Sequence, residues 1–139
     1  MNFMIGQRLK SKIFISLMAF ISGCVSNVIP LKAKPSLNQL NKGQITVGDP
    51  VNNPKVLYPT KQLESKQDGW ALVKLDLDED GNTKNIEAID CSPVFSFCYA
   101  AEKYFAEAQY HPPAKDGNPV KVIGHYFILN FFVSKTEHP

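Results

Sequence analysis

Three acids at alternate positions, Asp76, Asp78 and Asp80, precede Gly81, and Glu87 follows in "DLDEDGNTKNIE", residues 76–87. That is the written pattern of a calcium-binding EF-hand loop, in which carboxylates converge on one ion and a helix lies on each side. The three histidines, His111, His125 and His138, are scattered, with no Ser–His or Cys–His arrangement for nucleophilic catalysis and no zinc-ligand spacing. Of the three cysteines, Cys91 and Cys98 are close enough in sequence to pair, and Cys24 stands apart. No catalytic residue, cofactor or metal is expected, and the chain is not expected to be an enzyme.

Cys24 takes its meaning from what precedes it. Arg8, Lys10 and Lys12 stand in a first segment with no acid, and the apolar run "IFISLMAFISG" (13–23) follows. This is the order of an export signal, with an apolar part about half the ~20 residues of a membrane-spanning helix. The alternative is an uncleaved inner-membrane anchor reaching Ile29. Ile21-Ser22-Gly23-Cys24 resembles a bacterial lipobox, which implies cleavage after residue 23 and acylation of Cys24; an ordinary signal with a chance cysteine is the competing reading. Lipidation would hold the protein on a membrane face, each buried CH₂ contributing ~0.8 kcal/mol. In the lipoproteins it resembles, a residue other than Asp after the cysteine favours the outer membrane, and here that residue is Val25. Removing residues 1–23 leaves 12 basic residues against 13 acids, a net of −1. The +2 of the whole chain belongs to the signal, and no basic field argues for nucleic acid.

Residues 24–53 are rich in Asn, Pro, Gly and Lys without a sustained period, and are expected to form a flexible tether spanning roughly 30 Å as a random coil. The packed domain is expected over 54–135. A polar segment, "YPTKQLESKQDG" (58–69), predicts a short helix ending at Gly69. "WALVKLDLD" (70–78) alternates, with Ala71, Val73, Leu75 and Leu77 on one face and Lys74, Asp76 and Asp78 on the other, which predicts a half-buried strand. "TKNIEAID" (83–90) predicts its partner, and the Asp-Gly between them is a hairpin-turn signal. The EF-hand reading fails on this point, because its acids lie on a strand of period two and its flanks are not helices. The letters come from a solvated strand face running into a turn.

Phe97, Ala101, Phe105 and Ala108 recur at helical spacing within 92–110, and Pro112 and Pro113 prevent continuation. "VKVIGHYFILNFFV" (120–133) predicts a long last strand, apolar on both faces toward its end. The expected fold is therefore α+β: a three-stranded antiparallel sheet of order β-β-α-β in sequence, one helix on a face, and a short N-terminal helix. If the main helix begins at Pro93, Cys91 and Cys98 are about 10 Å apart along its axis, too far to bond. A disulfide requires the helix to begin near Ser96, with 92–95 folding back, and that is the expectation; two unpaired thiols are the alternative.

The ordered landmarks are "YP" before the polar segment, "DGW" opening a strand, the "DEDGN" hairpin, a helix, "YHPPAKDGNPV" and a hydrophobic last strand. Together they resemble the C-terminal domain of the TonB family of energy transducers over about 54–133. The resemblance implies a periplasmic domain to which an outer-membrane transporter adds a short extended segment, beside the last strand of the sheet. It places the docking edge at Ile123, Gly124, His125, Tyr126 and Phe127, and a transporter contact near Tyr58 and Pro59. The competing roles are core packing and self-pairing for the strand, and a packed turn for Tyr58-Pro59.

The sequence departs from the family where a transducer needs its engine. The apolar segment is short, carries no ionisable residue, and the tether is brief. Ala108 occupies the place of the usual helix tryptophan. The function expected is a lipid-anchored module that supports energised transport as an accessory to a full transducer. The alternative is a structural or assembly lipoprotein of the envelope, with homodimerisation through the last strand.

Overall fold

Alternating side chains on one strand decide the layering of this molecule, whose structure, a computed structural model, describes residues 29–134. In chain order the elements are α1 (Leu37–Leu40), α2 (Thr60–Glu64), β1 (Gly69–Leu77), β2 (Thr83–Ser92), α3 (Ser96–Glu107), the two-residue strands β3 (Ala114–Lys115) and β4 (Asn118–Pro119), and β5 (Val122–Phe131). The main sheet has the order β2-β1-β5, antiparallel throughout, so β1 is central and β2 and β5 are both edges. β3 and β4 form a separate ribbon.

One face of β1, Ala71, Val73, Leu75 and Leu77, is sealed by α3 through Phe97, Ala100, Ala101 and Phe105. Each large apolar side chain so buried contributes on the order of 2 kcal/mol. α3 is shorter than the 92–110 stripe. Ala108 is buried but already extended, because the chain beyond it pairs elsewhere: the Val51 N–H donates to the Gln109 carbonyl (2.7 Å) and the Gln109 N–H to Asn52 Oδ1 (2.9 Å). At its other end α3 starts at Ser96, and Cys91 and Cys98 are disulfide-bonded with their Cα atoms 5.5 Å apart.

The β1–β2 turn is built by the carboxylate that a calcium loop would have claimed. Asp78 accepts the N–H groups of Asp80 (3.0 Å) and Asn82 (2.8 Å) and the Asn82 side-chain amide (3.0 Å). These bonds, the Asn82 amide first, hold its carboxyl below the usual range. Gly81 has φ +84°, and a β-carbon there would overlap the Tyr110 carbonyl. Among the described residues no group of three or more His, Cys, Asp or Glu is placed to hold a metal.

Residues 29–53, expected as a tether, lie along the domain from Ile29 onward. The Trp70 indole N–H donates to the Lys32 carbonyl (3.0 Å), and the Lys32 N–H donates to Ser92 Oγ (2.7 Å). Ile45 and Val47 are half-buried against the core. The segment has no sustained period because its one regular element, α1, is a single four-residue turn that buries none of its residues. Single polar groups and isolated apolar side chains hold it. Among the described residues no helix is long and apolar enough to cross a membrane. The expected signal (1–23) and the lipidation residue Cys24 lie outside the described residues.

Candidate docking edge on the last strand

β5 is a strand because its residues are β-branched and aromatic, and it is kinked because of one glycine. Its register with β1 runs evenly from Gly69↔Phe131 to Leu75↔His125, then slips so that Leu77 faces Val122. The extra residue makes a bulge at Ile123-Gly124, with Gly124 at φ +65°, a conformation glycine adopts without a steric penalty. The Gly124 N–H donates to Asp76 Oδ1 (2.7 Å), so one of the EF-hand-like acids fastens the bulge. The bulge also shifts the parity of the strand. Val122 and His125 both turn inward, and Ile123 stands 67% exposed.

In an antiparallel ladder alternate residues turn their N–H and C=O groups away from the neighbour. On β5 those residues are Tyr126, Ile128 and Asn130, since both Tyr126 backbone groups are engaged from outside the sheet. The Tyr126 N–H donates to Asn41 Oδ1 (2.8 Å) and the Asn41 amide donates to the Tyr126 carbonyl (2.9 Å). Gln44 Nε2 donates to the Gly124 carbonyl (3.3 Å). Among the described residues no strand pairs with this outer side of β5.

His125 sits between these two amides. Its side chain is buried, with the ring 4.9 Å from that of Phe127. Asn41 is oriented by Tyr126 and Gln44 by Gly124, so Asn41 Nδ2 donates to His125 Nε2 (3.3 Å) and His125 Nδ1 donates to Gln44 Oε1 (2.7 Å). This is a neutral imidazole. Burial pushes its pKa below the ordinary value.

The structure therefore brings Ile123, Gly124, His125, Tyr126 and Phe127 together, but with different exposures: Ile123 is out, His125 is in, and Phe127 packs against Phe105 and Tyr110. Tyr58 and Pro59 are elsewhere. The Tyr58 ring meets Phe97 and Phe131 edge-on, and its hydroxyl donates to the Gln67 carbonyl (2.6 Å). Phe131 is four residues beyond Phe127, about 13 Å along the strand. Burial raises the Tyr58 pKa, with Asp68 adding to the shift. Pro59 precedes the first turn of α2. Asn41 and Gln44 escaped the sequence reading, because an isolated amide in an aperiodic stretch carries no signal of what it will bond.

Comparison with known proteins bears on the same region. The family model described as Gram-negative bacterial TonB protein C-terminal matches residues 54–131. A solved structure of the TonB2 protein of Vibrio anguillarum is 21% identical, with a TM-score of 0.51, covering 76% of this chain and 98% of that one. The solution structure of the Pseudomonas aeruginosa TonB C-terminal domain is 19% identical, with a TM-score of 0.46, covering 72% and 95%. Comparison with curated proteins finds no match.

Proposed function

This chain belongs to the family of Gram-negative bacterial TonB C-terminal domains, and from that premise we propose that it is a periplasmic module binding outer-membrane transporters by strand addition. A short extended segment of the transporter lies antiparallel or parallel beside β5 and takes the outward N–H and C=O groups of Tyr126, Ile128 and Asn130. Acylated Cys24 holds the module at a membrane, the outer membrane by the preference of Val25. Without an intramembrane coupling residue the module serves transport as an accessory to a full transducer.

The single observation that carries the reading is the sheet order β2-β1-β5, which leaves β5 at an edge. A free edge offers a row of unpaired backbone groups, and an extended peptide satisfies them with main-chain hydrogen bonds whatever its sequence. The opposite edge is less accessible, since Glu102 of α3 accepts the Ala88 N–H of β2 (3.0 Å). The Cys91–Cys98 bond supports an oxidising compartment such as the periplasm.

The test is titration of the isotope-labelled protein with synthetic peptides, each the N-terminal periplasmic segment of one outer-membrane transporter of the source bacterium. Amide shifts at 124–130, and in residues 37–47 that lie against that edge, are expected. Shifts confined to other parts of the domain, or concentration-dependent self-association with no peptide effect, would replace this reading with the assembly role.

A further inference from the structure

A free edge invites self-pairing, and this molecule carries something on that edge already. Asn41 presents a side-chain amide, a planar group that, like a peptide unit, offers N–H and C=O together; one of its two N–H groups serves Tyr126 and the other His125. It meets Tyr126 in the reciprocal manner of a neighbouring strand, donating to the carbonyl and accepting from the N–H. Gln44 repeats half of this at the Gly124 carbonyl. Two side chains thus imitate the backbone of an absent strand at two successive outward positions of β5.

From this we propose that residues 37–44 are a strap that plugs the docking edge, the Asn41 amide holding the backbone site of Tyr126 that an incoming strand must take. The proposal rests on the reading of β5 as the docking edge.

The plug is built to be displaced. A groove of about 420 Å³ lies between residues 37–47 and His125–Phe127, so the strap is not close-packed on the strand it covers. α1 has only four residues and buries none of them. An entering strand exchanges the strap's bonds to Tyr126 and Gly124 for equivalent ones and adds those of Ile128 and Asn130. A segment long enough to reach Ile128 and Asn130 therefore wins, whereas one that reaches only Tyr126 and Gly124 gains nothing by displacing the strap.

The test uses the full chain. In Asn41→Ala the Tyr126 amide loses its acceptor, and its hydrogen exchange should quicken by tenfold or more (about the worth of one or two hydrogen bonds) while that of β1 is unchanged. The transporter-segment peptides should bind this variant roughly tenfold more tightly than wild type. Asn41→Asp keeps the acceptor but sets a carboxylate against the Tyr126 carbonyl and must also tighten peptide binding. Thermal melts establish that both variants are folded. Unchanged Tyr126 exchange in Asn41→Ala, or peptides that bind wild type and variants equally, overturns the strap and leaves strand addition standing. A Tyr126 amide that opens while no peptide binds any of the proteins overturns the docking reading, and the strap's role with it.

Discussion

Protonating His125 would place an N–H where Asn41 already points one. Nε2 accepts from Asn41 Nδ2, and the groove beside it is lined by Lys42 rather than by a carboxylate, so nothing there welcomes a second proton. Its pKa is accordingly pushed down by burial. The sign follows: the unfolded chain, titrating near 6.5, binds the proton at a pH where the folded protein refuses it. His125 therefore contributes full stability above about pH 6.5 and loses it as pH falls toward its depressed folded value. Asp78 and Asp90, held low by their hydrogen bonds to Asn82 and Lys32, act in a separate and more acidic window, beginning only as pH approaches the ordinary 3.8. We expect the melting temperature to drop between pH 7.5 and 5, and His125→Phe to flatten that drop. A drop of the same size in both proteins would assign it to another group.

At the scale of elements, the join between β2 and α3 is the place where one covalent bond sets a helix boundary. Cys98 is buried in the first turn of α3 and Cys91 lies at the end of β2, seven residues away in sequence. Opening a loop this short frees the unfolded chain by about 2 kcal/mol. Reduction, or Cys91→Ser with Cys98→Ser, should lower the melting temperature by roughly 10 °C and fray α3 at its start while leaving the β1–β5 ladder intact. A melt indifferent to reductant would mean that packing of Phe97 alone fixes that end. The strands and the helix were legible in the sequence because burial on one face leaves a period: two along Ala71 to Leu77, and a helical stripe along Phe97 to Phe105. The bulge was half legible, since Gly124 marked it but its fastening by Asp76 depends on a residue 48 positions away. The strap was not legible at all. Asn41 reaches Tyr126 across 85 positions through one side-chain amide, and such a bond imposes no pattern on its neighbours. The contacts of the Tyr58 ring with Phe97 and Phe131 were likewise not legible, since they join residues 39 and 73 positions apart.

For the whole molecule the question is how far the proposed docking edge would stand from the proposed anchor. Were Cys24 acylated, with residues 29–53 lying on the domain, only residues 24–28 would separate the lipid from the fold, a reach of at most roughly 18 Å. Were all of 24–53 free, the reach would be roughly 100 Å. Separate clasps along the segment decide where between these lengths the reach falls. Val51 and Asn52 are held at Gln109, and Asn41 is held on Tyr126. The clasp nearest residue 24 is Lys32, whose carbonyl accepts from the Trp70 indole and whose N–H donates to Ser92. The exposed Lys32–Asp90 ion pair adds little to this last clasp. On the proposed reading, a partner strand that displaces Asn41 would open the edge while the Lys32 clasp still held the domain close to an acylated Cys24. The intact mass of the protein from a native membrane fraction should show residues 1–23 removed and acyl chains on Cys24; an unmodified Met1 start would restore the embedded-anchor alternative. Given the acylated form on vesicles, energy transfer from a dye at Asp116→Cys to the lipid surface should be equally strong in wild type and in Asn41→Ala. Trp70→Phe with Ser92→Ala removes two neutral hydrogen bonds of about 1 kcal/mol each, lowering the ratio of docked to free segment roughly thirtyfold. Combined with Asn41→Ala, that change should weaken the transfer. Weak transfer in the wild type would show that the Lys32 clasp does not hold, and that the domain already works on a longer leash than residues 24–28 allow.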